Sequence, residues 1–213
     1  MFLITKNSKK KTSDKKDRCV CCLKTSSNKR DKIIFKKMPL FGTASTEVSK
    51  IKKKNLKSDF IDQILHFCSR CKHLYLEKQI ENKYLYNDKE YISRKKNYTS
   101  IYYSNIFYNF INSNLDTRKI NSILEIGSSD LYLLKKFYKR SKKLFGIDPV
   151  IKKDLKLEKI VTIKDFFNEQ SKEKIQGKND VIICSHTLEH VEEPELFIKN
   201  ILSRANANSK IFL

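Results

Sequence analysis

The chain has no run of apolar residues near the ~18 to 20 needed to cross a bilayer, which excludes a helical membrane span. Its opening, Met1-Phe2-Leu3-Ile4, is too short for the apolar core of an export signal and leads directly into charge, so a cytoplasmic protein is expected. Glycine is scarce, with four in 213 residues. Acids are few as well: 24 Asp/Glu against 45 Lys/Arg leave a net charge of +21. Lys, Ile and Asn dominate throughout, so a solvated lysine-rich surface accounts for most of that excess. It is steepest over residues 1–60, with 18 basic against 5 acidic residues, which leaves weak attachment to an acidic polymer conceivable. A hydrophobic content of 39% supports a core and excludes a disordered chain.

What the sequence does hold is cysteine in pairs. In a reducing compartment six cysteines argue for metal or chemistry rather than disulfides. Cys19 with Cys22 and Cys68 with Cys71 form two C-x-x-C pairs, each able to aim two thiolates at one ion, the donor set of a tetrahedral structural zinc. The interval from Cys22 to Cys68 is longer than in a compact zinc ribbon. Cys21 is a bystander, and His66 and His73, beside the second pair, are read as ordinary surface or packing residues. Between the pairs, Ile33-Ile34-Phe35 predicts a short strand and Met38-Pro39-Leu40-Phe41-Gly42 a turn. A module with so thin a core requires a staple, an independent argument for the metal.

The remainder is organised around Ile123-Leu124-Glu125-Ile126-Gly127-Ser128-Ser129-Asp130: a buried strand, a glycine turn, and then a helix begun by Leu131, Leu133, Leu134 and Phe137. A second strand ends on Asp148, 21 residues after Gly127, where a dinucleotide-type fold places the acid that holds ribose hydroxyls. Strands are expected near 122–126, 143–147, 160–163, 179–184 and 209–213, and helices near 130–140, 150–157, 166–175 and 194–204. This alternation specifies a parallel sheet with helices on both faces and a ligand at the carboxyl ends of the strands. Gly127, Asp148, Asp165 and Cys184-Ser185-His186 all fall at those ends. The full dinucleotide signature needs three glycines and this turn has one, which favours S-adenosylmethionine over a pyrophosphate-bearing cofactor. Upstream, tyrosines recur between residues 74 and 118, and Ile101 to Ile111 predicts a helix ended near Asn112-Ser113-Asn114, read as a connector and a substrate wall.

His186-Thr187-Leu188-Glu189-His190 spells the H-x-x-E-H of a zinc-protease family. That reading is rejected, because the segment follows a buried strand directly and Pro194 opens a new helix four residues later. The segment instead looks like the "L-E-H-V-x-x-P" stretch after strand four of class I methyltransferases, which leaves His186 as the candidate catalytic residue.

The two C-x-x-C pairs, the Met38-Pro39-Leu40 turn and Leu124-Glu125-Ile126-Gly127-Ser128-Ser129-Asp130 with Tyr132-Leu133-Leu134 together resemble the zinc-binding methyltransferases related to NDP-sugar C-methyltransferases, over roughly residues 18–213. The resemblance implies a structural zinc on Cys19, Cys22, Cys68 and Cys71. It also implies S-adenosylmethionine at Glu125, Gly127, Ser129, Asp130 and Asp148, with Asp165 added from its place at a strand end. The family's turn reads G-S-N-D-G, whereas this chain has Ser129 for the Asn and Leu131 for the last Gly.

The expected fold is an α/β, Rossmann-like class I methyltransferase sheet, incomplete at five strands, behind a small zinc-binding module. The expected boundaries are a basic tail at 1–17, the zinc module at 18–80, a helical connector at 81–118 and the cofactor domain at 119–213. Because the fifth strand ends the sequence, truncation or a completing chain docking on that exposed strand is expected. The expected activity is methyl transfer to a nucleotide-linked sugar or similar small metabolite. The alternatives are a zinc-stabilised nucleic-acid-binding or RNA-modifying protein, for which no clear recognition motif exists, and a noncatalytic scaffold.

Overall fold

The computed structural model describes residues 18–25, 32–39, 60–78, 97–115, 120–152 and 154–213. The basic tail, Leu40 to Gly42, and Tyr84, Tyr86 and Tyr91 lie outside the described residues. The chain divides into two compact units, Met1–Leu85 and Tyr86–Leu213. No helix among the described residues is long and apolar enough to cross a membrane.

The first unit is an antiparallel sheet of β1 (Lys32–Pro39), β2 (Phe60–Phe67) and β3 (Leu74–Leu76), in that order. Met38 and Pro39, expected in a turn, instead continue β1 opposite Ile61 and Phe60. A register shift between Phe35 and Met38 makes room for Lys37 at a φ of 53°, a bulge inside the strand. Ile33, Ile34 and Phe35 are exposed, and among the described residues of this unit the buried cluster is Cys19, Cys68 and Tyr75. Hydrophobic burial among these described residues contributes little.

In the second unit, α1 (Tyr98–Ser113) is capped by Asn97, whose side chain accepts a hydrogen bond from the Ser100 amide, and it closes at Asn114, as the Asn-Ser-Asn sequence predicts. The sheet that follows comprises β4 (Ile120–Ile126), β5 (Ser141–Ile147), β6 (Leu155–Leu157), β7 (Ile160–Ile163), β8 (Asn179–Cys184) and β9 (Ala205–Phe212). Its order is β6-β7-β5-β4-β8-β9. The five expected strands pair in parallel, and the three-residue β6 adds an antiparallel edge.

Strand alternation explains why helices cover both faces. Ile123, Leu144, Val181 and Ile183 form one apolar layer with Ile111 of α1 and with Leu133 and Leu134 of α2 (Tyr132–Lys136). Leu124, Ile126, Phe145, Ile147, Ile182 and Cys184 form the other with Phe197 and Ile201 of α3 (Pro194–Ser203). Each such aliphatic side chain contributes roughly 1.5–3 kcal/mol when fully buried, so this unit rests on many comparable contributions.

Three helices differ from expectation. The helix of 130–140 is shortened to α2 and a following turn, because Phe137, Tyr138 and Arg140 bond back three residues rather than four. At 150–157 the chain makes β6, where Leu155 and Leu157 pair across from Thr162 and Ile160. At 166–175 Ser171 accepts the Asn168 amide and donates to the Phe166 carbonyl, which leaves only a 3-10 turn, Ser171–Lys174.

Candidate functional site

Chain order and sheet order separate at β4. From β4 the chain moves outward through β5 and β7, then returns to β8 on the other side of β4. The strand order reverses between β4 and β8, where sheets of this kind hold their ligand crevice, outside the carboxyl ends of the strands. Gly127 follows β4 at a φ of 76°, and its amide donates to the Ile147 carbonyl at 2.9 Å. A Cβ at Gly127 would overlap Thr187 Oγ1, in the loop after β8, so both the backbone conformation and the close approach require glycine here. Gly146 on β5 serves the turn from beneath: a Cβ there would lie 2.8 Å from both Leu131 Cδ2 and Ser128 Oγ. The turn rests directly on the sheet.

Asp148, 8% exposed at the end of β5, binds this turn electrostatically. Its Oδ2 accepts the Ser129 amide at 2.8 Å and its Oδ1 accepts the Val150 amide at 2.8 Å. A carboxylate has about four acceptor positions, so this role is compatible with ribose hydroxyls as well. Ser129 and Leu131 both take left-handed backbone, with φ of 52° and 63°. Leucine there costs about 1 kcal/mol relative to glycine. Its side chain packs on the apolar layer beneath the turn and against Gly146, rather than standing in the crevice. Asp130 accepts the Tyr132 amide at 3.1 Å. Glu125 is fully buried near the end of β4, opposite Gly146 and Ile183. Asp165 follows β7 and pairs with Lys174 at 2.9 Å.

The far wall of the crevice is the loop after β8. His186 has a φ of 52°, an uncommon conformation for a non-glycine residue, and its Nδ1 lies 3.5 Å from Glu189 Oε1. His190 Nε2 lies 4.0 Å from the same oxygen. Leu188–His190 is a single 3-10 turn, so no α-helix presents the two histidines as a protease ligand pair. A cleft of about 980 Å³ lies beside this loop, walled by Tyr103, Phe107 and Phe110 of α1. The helix expected as a substrate wall lines that cleft, while Tyr98 and Tyr102 are solvent-exposed. Thr187 was not identified from the sequence, since only the folded chain brings it to Gly127, 60 positions away.

In the first unit, the Sγ atoms of Cys19, Cys22, Cys68 and Cys71 lie within 4.8 Å of one another, and Cys19–Cys71 and Cys22–Cys68 are each 3.6 Å apart. Tetrahedral zinc with Zn–S near 2.3 Å has edges of about 3.8 Å, which fits this cage. Two loops of the same design build it. In the first, the Leu23 amide donates to the Cys19 carbonyl and the Cys19 amide to the Lys24 carbonyl. In the second, the Lys72 amide donates to the Cys68 carbonyl and the Cys68 amide to the His73 carbonyl, and Leu23 and Lys72 are both left-handed. The Cys71 amide with other donors pulls the Cys68 thiol down to about 6. Against the lowering effect of the His73 amide, burial and the neighbouring sulfurs push Cys71 up to about 12. Four thiolates at this range repel one another unless a cation sits among them. His66 is not among the clustered donors; it pairs with Glu77 at 2.8 Å and stacks on Tyr75. Among the described residues, these four cysteines are the one group of three or more donors close enough to share an ion.

A parallel α/β sheet with a tight glycine turn and an acid at the next strand end defines a nucleotide-cofactor fold. The chain belongs to the methyltransferase domain family, whose pattern it matches over residues 75–213, more than half its length. No curated protein matches it. Among solved structures it is similar to the N-methyltransferase NodS from Bradyrhizobium japonicum WM9 in complex with S-adenosyl-L-homocysteine. The identity is 16% and the TM-score 0.48, over 62% of this chain and 69% of that one. It is also similar to an rRNA methylase from Streptococcus thermophilus, at 16% identity and TM-score 0.38, over 50% of this chain and 66% of that one. A third similarity is to the plantazolicin methyltransferase BpumL, at 19% and 0.38, over 52% and 45%. The chain thus spans 45% to 69% of the lengths of these proteins.

Proposed function

We propose that the chain is an S-adenosylmethionine-dependent methyltransferase acting on a small-molecule acceptor. The observation that carries this reading is the left-handed turn at Gly127, seated on Gly146 and bonded to Asp148 at the point where the strand order reverses. The glycine lets the turn pass close to Thr187 and keeps its backbone at the strand ends, where the cofactor would lie. In this reading Glu125, Gly127, Ser129 and Asp130 hold its amino-acid end, Asp148 its ribose and Asp165 its base. When bound, the cofactor supplies an electrophilic methyl group. The protein's part is alignment and proton removal: α1 positions the acceptor, and His186 takes its proton at Nε2 while Glu189 faces Nδ1 and stabilises the charged ring. The four cysteines hold a structural zinc in a module of their own, ahead of the cofactor domain.

The narrower reading, an acceptor carried on a nucleotide as in the sugar C-methyltransferases, draws its support from the paired cysteines and the Gly-Ser-Ser-Asp turn. The acceptor cleft adds none, since no Lys or Arg lines it among the described residues.

Calorimetric titration of zinc-assayed protein with S-adenosylmethionine tests the main reading. Saturable binding is expected, weakened at least tenfold in Asp148→Asn, with about one zinc per chain. A folded, zinc-loaded protein that binds no cofactor would leave the scaffold reading in its place.

A further inference from the structure

The cleft beside the β8 loop departs from the rest of the molecule in charge. The chain carries 45 Lys/Arg, yet none of the described residues lining the cleft is Lys or Arg; its ionisable side chains are Cys184, Tyr103, His186 and Glu189, and Glu189 is its one side-chain carboxylate. The opposite wall offers aromatic rings: Tyr103 and Phe110 are more than half exposed, and the Phe107 and Phe110 rings stack at 6.4 Å. A phosphate or carboxylate entering here would lose hydration and meet Glu189, with no Lys or Arg among the described lining residues to compensate and with His186 already facing that carboxylate. An ammonium group would gain on both sides, from the Glu189 carboxylate and from the faces of the rings.

We infer that this cleft selects a primary or secondary amine carried on an apolar or ring-bearing scaffold, and discriminates against phosphorylated acceptors. The inference rests on the methyltransferase reading for its biological meaning, but the charge preference belongs to the cleft itself. A volume of about 980 Å³ admits a scaffold of drug-like size. His186 stands next to Glu189, placed to receive the proton such an amine must lose before it can act as a nucleophile.

Three probes of one shape decide it: 2-phenylethylamine, 2-phenylethanol and 2-phenylethyl phosphate, titrated by ligand-observed NMR with and without saturating S-adenosylhomocysteine. The amine is expected to bind tightest and the phosphate weakest. Glu189→Gln should weaken the amine about fivefold, since the carboxylate is half exposed, while leaving the alcohol unchanged. Phe107→Ala should weaken amine and alcohol alike. Phosphate or alcohol binding as well as the amine, an amine affinity indifferent to Glu189→Gln, or no binding of any probe overturns the inference. Failure of S-adenosylhomocysteine to bind is a separate result: it counts against the methyltransferase reading, whereas the order of the probes judges the cleft.

Discussion

The two units use the same residue in opposite ways. In the first, four cysteines converge within 4.8 Å and perturb one another's thiols, Cys68 down to about 6 and Cys71 up to about 12. In the second, Cys184 ends β8 inside the apolar layer, 1% exposed, and burial pushes its thiol up to about 12. The first setting concentrates a unit's integrity in one charged cluster. The second spreads it over two layers of ordinary hydrophobic contacts, in which a cysteine is one small apolar side chain among many. The units should therefore fail separately and for different reasons.

The largest expected effect follows from the concentrated design. Structural zinc sites contribute ~10 kcal/mol or more to folding, far beyond what a cluster of Cys19, Cys68 and Tyr75 supplies. Chelation, or Cys68→Ser, should unfold the two cysteine loops and the β1–β3 sheet and leave the sheet of the second unit intact. Limited proteolysis with mass spectrometry reads this directly. Cleavage confined to the first unit sharpens the contrast between units, whereas cooperative loss of both would break it.

The next effect lies at the glycine turn. Gly127→Ala places a methyl on Thr187 Oγ1 and holds a non-glycine residue at a φ of 76°. A cost of about 3 kcal/mol in the stability of the second unit is expected, with cofactor binding abolished and zinc content unchanged. Thr187→Ala removes the clash but not the backbone cost, so the double variant should recover part of the loss. Thermal denaturation of the four proteins of this cycle gives the coupling. A coupling of zero would show that Thr187 is not what keeps residue 127 a glycine.

The contrast between units also governs what could be read from the sequence. The sheet was legible because Ile123 to Ile126, Leu144 to Ile147 and Val181 to Cys184 are short apolar runs buried on both faces, and such runs announce parallel strands. The paired cysteines were legible because local loop geometry dictates the C-x-x-C spacing. Helices at 150–157 and 166–175 were misjudged because side-chain hydrogen bonds of Ser171 and the pairing of Leu155–Leu157 with β7 outweighed local propensity. Asp148 was placed at its strand end from spacing alone, but its bond to the Ser129 amide is a tertiary fact. The contact of Thr187 with Gly127 has no sequence signal, and although the tyrosine-bearing helix suggests a wall, nothing in the sequence says that the β8 loop faces it, because both depend on which strand becomes β4's neighbour.

The smallest effect is the most specific to the buried thiol. An isolated cysteine ionises near 9.0, whereas folded Cys184 resists until about 12 because burial penalises the thiolate. A folded pKa above the unfolded one means that the stabilisation is fully present below about 9 and is lost as pH rises from there toward 12, while the unfolded chain ionises and the folded one does not. The slope is about 1.4 kcal/mol per pH unit within that window, so about 1.4 kcal/mol should be gone at pH 10. Cys184→Ala has no thiol to ionise. Its urea midpoint should fall below that of the natural protein at pH 8, through the small cavity it leaves, and the gap should narrow or reverse by pH 10. Lysine titration affects both proteins alike and cancels in the difference. A gap that stays constant with pH would mean that the thiol ionises as freely in the fold as outside it, and that the layer around Cys184 is not the dry setting that distinguishes it from the four cysteines of the first unit.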